Sequence, residues 1–150
     1  MNGADAHRDA REFFDSNVVV YALAEAGDPE TARKRETARR TLVAAASRKK
    51  AVVSAQILSE SFVTLVKKGV SPMEPAVAAE HLRGVASLRV VPLTGDLVFR
   101  AIELQGEHRL SYWDALVVAA AEDAGCATLW SEDLSDGRVY GTVTVRNPFR

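Results

Sequence analysis

Four acidic residues carry the chemistry this chain is able to do: Asp15 after Phe13-Phe14, Glu60 closing Ser54-Ala55-Gln56-Ile57-Leu58-Ser59-Glu60, Asp114 closing Ser111-Tyr112-Trp113-Asp114, and Asp133 closing Ser131-Glu132-Asp133. Each lies where an apolar strand gives way to a turn or helix, or on a helix just after one. A parallel-sheet fold would gather them. Gathered carboxylates repel and raise one another's pKa values, a cost that a divalent cation among them removes. The spacing of His7, His81, His108 and Cys126 matches no zinc site, so an oxygen-ligand ion, Mg²⁺ or Mn²⁺, is implied. Plainer roles stand beside these. Asp15-Ser16-Asn17 also suits a turn or helix cap, Ser111 to Asp114 a capping box, and Glu60 a solvated helix charge.

The elements that must position these acids alternate short β-rich runs with longer helical patterns, which predicts an α/β fold with a mainly parallel sheet. Strands are expected at Phe13 to Asp15, Ala51 to Val53, Leu88 to Val91 and Thr128 to Trp130, with a final edge strand at Thr142 to Val145. Val18 to Tyr21 fits a strand extension by propensity and a helix by pattern. Asp28-Pro29 starts a helix to about Ser47, Ser54 caps one to about Lys68, and Ser71-Pro72-Met73-Glu74 resembles a capping box for the next. Thr94 opens a helix to about Gly106. Ser111 opens another, with Trp113, Leu116, Val117, Ala120 and Ala124 as its core-facing stripe.

With 150 residues, 47% hydrophobic, and a formal net charge of -1, the chain reads as one soluble globular domain without a global pull towards nucleic acid. Charge is uneven, however. Between Asp28 and Lys50, eight basic residues including Arg39 and Arg40 face three acids, which serves either as a solvated helix face or as a phosphate-binding surface. A single cysteine forms no internal disulfide, and the expected location is cytoplasmic, with no membrane span. Residues 1–12 are polar and read as a flexible N-terminal extension. The chain shows no Gly-rich phosphate loop, serine-nucleophile elbow or Cys-His pair.

Taken in order, Phe13 to Asn17, Ser54 to Glu60, Ser111 to Ala121, Ser131 to Gly137 and Val145 to Phe149 resemble a PIN-domain ribonuclease of the VapC toxin type. The resemblance implies a three-layer α/β fold over residues 13–150, with a central mainly parallel sheet flanked by helices. It further implies an acidic pocket that holds Mg²⁺ or Mn²⁺ and hydrolyses RNA. Its metal-site acids fall on Asp15, Glu60, Asp114 and Asp133, with Asp15 and Asp114 holding the ion and the other two supporting it. Asp136 competes with Asp133 for the last place. The family's small polar companions fall on Ser16, Asn17 and Ser131, and Arg39 and Arg40 are candidate RNA contacts. The implied partners are an RNA substrate, a cognate antitoxin and a second copy of the chain. The segment before Phe13 departs from the pattern.

Two other classes fit less well. A PIN-like RNA-binding or assembly module would leave the acids idle. A receiver or haloacid-type phosphohydrolase wants a lysine after the last core strand, or a second Asp where Asn17 stands.

Overall fold

The computed structural model describes residues 9–67 and 72–150. Among them, six strands form one sheet: β1 Arg11–Phe14, β2 Ala51–Ser54, β3 Arg89–Val91, β4 Cys126–Trp130, β5 Val139–Tyr140 and β6 Val143–Arg146. The spatial order is β3-β2-β1-β4-β6-β5, parallel except for the β5-β6 pair. Helices α1 Ser16–Leu23, α2 Pro29–Ser47, α3 Ala55–Lys67, α4 Pro75–Ala86, α5 Gly95–His108 and α6 Tyr112–Asp123 flank it.

Local chemistry accounts for most of the helix starts. Asp28 accepts from the Thr31 amide at 2.9 Å with Pro29 in the first turn, Thr94 from Leu97 at 3.2 Å, and Ser111 from Asp114 at 3.1 Å, each satisfying an amide the helix leaves unpaired. Burial decides what propensity leaves open. Val18 and Val19 are fully enclosed in the main core beside Phe13, Phe14 and Ile57, so Val18 to Tyr21 belongs to α1 despite its β-branched composition.

The core packs mainly between the sheet and α6, whose residues 115–121 are all buried and mostly small, allowing close approach to the strands. Trp113 is the exception in the stripe expected of this helix. Its ring is 62% exposed, because the first turn of α6 sits beside Gln56 and not over the core. A second small cluster, Leu65, Ala78 and Leu82, joins α3 to α4.

Other features also differ from expectation. Strand β1 starts at Arg11, two residues early, because Glu12 pairs in register with Ala51 and Thr128. Helix α4 starts at Pro75, where a fixed φ suits a first turn; Glu74 makes no side-chain cap, and Ser71 of the expected box lies outside the described residues. The last expected strand is interior, not edge, since β6 pairs with both β4 and the two-residue β5. Gly141, at φ +59°, makes the tight turn between them, a conformation other residues rarely hold.

Candidate functional site

Because β1, β2 and β4 are parallel neighbours, their carboxyl ends open on one edge, where chain order reverses about β1. Such edges are the usual ligand positions of open parallel sheets. Asp15 leaves β1 and caps α1 by accepting from the Ser16 amide at 2.8 Å. Glu60 comes from α3, which leaves β2, and Ser131 and Asp133 from the loop after β4.

A continuous hydrogen-bond chain links them. Asp15 Oδ2 accepts from Ser131 Oγ at 2.7 Å and from Asn17 Nδ2 at 3.3 Å. The same Asn17 nitrogen donates to Asp133 Oδ2 at 3.1 Å, while Asn17 Oδ1 accepts from the Glu132 amide at 3.1 Å. Ser16 Oγ donates to Glu60 Oε2 at 3.0 Å. Gln56 extends the chain, its Nε2 donating to Glu60 Oε1 at 2.9 Å and to the Trp113 carbonyl at 3.1 Å, which ties the first turn of α6, where Asp114 lies, to the helix that carries Glu60; the Asp114 carboxylate itself takes no part in this chain of bonds. Asp114, at the third position of that helix, sits where the positive end of the macrodipole favours an ionised carboxylate.

Asp15 is 5% exposed, and burial pushes its pKa up from 3.8 to about 6. The Ser131 and Ser16 hydrogen bonds oppose that rise, and the nearby Glu60 and Asp133 charges add to it. Among the described residues, the hydrogen-bond partners of the Asp15, Glu60 and Asp133 carboxylates are serine, asparagine and glutamine groups and backbone amides, and no cationic side chain pairs with them.

The donor set fits a hard divalent cation, because every group is an oxygen donor and the buried charge is uncompensated. Among the described residues, no three His, Cys, Asp or Glu side chains already form a metal cage. Mg²⁺ does not require one, since one or two carboxylates with waters satisfy it.

The remaining candidates fall elsewhere. Asp136 Oδ1 accepts from the Asn147 amide at 2.8 Å and braces the chain's last segment. Arg39 Nε donates to the Ala22 carbonyl at 2.7 Å, closing the end of α1, and Arg40 Nη2 reaches Thr37 Oγ1 at 3.5 Å. Both arginines line an open groove of about 470 Å³ with Ala26, Ala32, Arg35, Glu36 and Val43, which none of the four acids lines. Cys126 is buried, and burial pushes its thiol up to about 12, so it serves as a small core residue.

Two contributors had no local signal. Gln56 holds both Glu60 and the Trp113 carbonyl, a partner 57 residues away. Lys34 on α2 donates to Glu132 and to Tyr21 Oη, with its ammonium over the Tyr21 and Phe149 rings, 5.1 and 5.4 Å from their centroids. It thus ties α2 and the chain's end to the loop that carries Asp133. Lys34→Met keeps the stem but loses the charged bonds. It should cost about 1 kcal/mol, a drop in Tm of roughly 2–4 °C, and reduce whatever activity depends on Asp133. An unchanged Tm in a melting experiment would remove Lys34 from the support of this loop.

Comparison with known proteins follows the same lines. The PIN domain family model matches residues 13–139. No functionally curated protein matches the sequence. Among solved structures, VapC20 of Mycobacterium tuberculosis, a sarcin-ricin-loop-cleaving toxin, is similar at 25% identity and a TM-score of 0.62, over 81% of this chain and 91% of that one. A chain of a toxin-antitoxin complex from Klebsiella pneumoniae is 17% identical with a TM-score of 0.66, over 91% of this chain and 97% of that one. One of VapBC2 from Rickettsia felis, bound to a DNA fragment from its promoter, is 18% identical with a TM-score of 0.64 over the same shares. These last two likenesses concern the fold.

Proposed function

From a chain that belongs to the PIN domain family, we propose a toxin of the VapC type: a ribonuclease that depends on Mg²⁺ or Mn²⁺ and hydrolyses RNA phosphodiester bonds. The observation that carries the proposal is the buried Asp15 carboxylate, linked to Glu60 and Asp133 at the carboxyl edge of the sheet with no cationic partner among the described residues. The likeness to VapC20 supports an RNA substrate.

In this reading Asp15 and Asp114 hold the ion, and Glu60 and Asp133 support it directly or through water. When bound, a divalent ion supplies Lewis acidity, lowering the pKa of water and neutralising charge that builds on the phosphate. The chain's own residues set the geometry. Asn17 spaces Asp15 from Asp133, Ser16 orients Glu60, and Ser131, by donating to Asp15 and accepting from the Asp133 and Leu134 amides, fixes the loop against β1. Arg39 and Arg40 are proposed to contact RNA phosphates only at a distance from the acids, Arg39 while it also holds Ala22.

An antitoxin is the expected partner, with a cationic side chain compensating the acidic pocket, and a second copy of the chain completes a homodimer. The toxin-antitoxin neighbours are consistent with that partner. Among the described residues no helix is long and apolar enough to cross a membrane, and action on RNA in the cytoplasm is proposed.

Induced alone in a bacterial host, the chain should arrest growth, and cleaved RNA ends should accumulate within the arrest. An Asp15→Asn variant at equal soluble level should permit growth. Normal growth and intact RNA with abundant wild-type protein would favour an idle-pocket RNA-binding module.

A further inference from the structure

The ring of Trp113 has no packing role that explains it. The residues after it on α6 are buried from Ala115 to Ala121, yet this large aromatic is 62% exposed. Nor is it loosely placed. Its carbonyl accepts from Gln56 Nε2 at 3.1 Å, Gln56 in turn holds Glu60, and the ring meets Tyr112 edge-on with centroids 5.1 Å apart. The next residue is Asp114.

Gln56 adds an independent observation. Its Nε2 faces a carboxylate and a backbone carbonyl, both acceptors, so the amide cannot be turned over without losing both bonds. Its Oε1 is left buried without a donor. An unmade hydrogen bond of this kind is costly unless something outside the chain supplies the donor. Gln56 also lines a cleft of about 10 Å³ with Leu93, Leu97 and Leu116, large enough for about one water and too small for a base.

We propose that Trp113 is a stacking platform for one unpaired nucleobase of the RNA, beside the acidic pocket, with the buried Gln56 Oε1 satisfied by a water in its cleft. The proposal rests on the ribonuclease reading above. Sequence-tolerant stacking of splayed bases on exposed aromatic rings is how proteins grip single-stranded RNA. A platform pinned through Gln56 to the helix of Glu60 would keep the gripped nucleotide in register with the acids. Because a π-face exists on every base, the platform contributes affinity and placement more than base choice.

The test is titration of the full chain with a short single-stranded RNA in Ca²⁺, following tryptophan emission and the anisotropy of labelled RNA, for wild type, Trp113→Phe and Trp113→Leu. Trp130, half-buried and bonded to Glu12, provides the emission that remains in both variants. RNA should quench the wild type, the quench should largely disappear in Trp113→Phe, and affinity should stay within a few-fold there because a ring remains. Trp113→Leu should weaken binding roughly tenfold or more, and in cleavage assays raise KM more than it lowers kcat. Equal affinity in all three proteins would overturn the platform while leaving the ribonuclease reading standing. A changed oligomeric state of Trp113→Leu in light scattering, with unchanged RNA affinity, would assign the ring to a contact between copies and also overturn it. Failure of the wild type to bind RNA would defeat both readings together.

Discussion

Asp15→Asn should lower metal-dependent RNA cleavage by at least about a thousandfold, while the protein without metal melts at the same temperature or higher. The first effect follows from removing a charged donor from the proposed ion site, where several kcal/mol of charge stabilisation correspond to about that factor. The second follows from the side chain's surroundings. Asp15 is buried among Ser16, Asn17 and Ser131 with Glu60 and Asp133 close by, so its charge opposes folding whenever no cation is present. Asparagine keeps the acceptor for the Ser16 amide and removes the charge. Cleavage kinetics and thermal melts of the same preparations check both halves. A variant that melts early but still cleaves would mean that Asp15 is a structural cap.

A pH dependence of large size has the same origin. The folded pKa of Asp15, about 6, stands above its ordinary value of 3.8, so between those values the folded state binds more protons than the unfolded one. Stability from this group is therefore fullest below pH 4 and is lost as pH rises through about 6. The loss is on the order of 2–3 kcal/mol. For a chain of this size, Tm without metal should fall by roughly 5–10 °C across the window from this group alone. Mg²⁺ at pH 7 should restore much of it, because a ligand bound only by the folded state stabilises that state. In Asp15→Asn both the slope and the Mg²⁺ response should shrink. Equal slopes in the two proteins, measured by thermal or denaturant unfolding with chelator present, would place the titration elsewhere.

Much of the arrangement was legible because it is local. Asp28-Pro29, Thr94 and Ser111 cap their helices within three residues, and Asp15 follows its strand directly. What was not legible depends on distant partners. Val18 and Val19 are helical because the core encloses them, which β-branched propensity cannot reveal. Trp113 has the spacing of the α6 stripe but lies in a first turn held beside Gln56. Asp133 and Asp136 are equivalent in sequence, and separate only because Asn17, from the other end of the chain, bonds one while Asn147 occupies the other. The two-residue β5 was too short to leave a pattern, and its pairing displaced β6 from the edge. Lys34 and Glu132 meet across most of the chain, as do Glu12 and Trp130.

The basic stretch shows the same limit from the other side. Its composition suggested a phosphate surface, yet Arg39 is committed to Ala22 and Lys34 to Glu132, so part of that charge holds the fold and the acid-bearing loop in place. Charge counted along a sequence does not distinguish these roles from binding.

Incubation of purified protein with single-stranded RNA, with Mg²⁺ or Mn²⁺ and with chelator, beside Asp15→Asn as control, tests the central claim most directly. Cleavage should occur with wild type and either ion, stop with chelator, return when the ion is restored, and be absent from Asp15→Asn under every condition. Cleavage that persists in chelator, or that Asp15→Asn performs as well as wild type, would contradict a metal-dependent ribonuclease built on these acids.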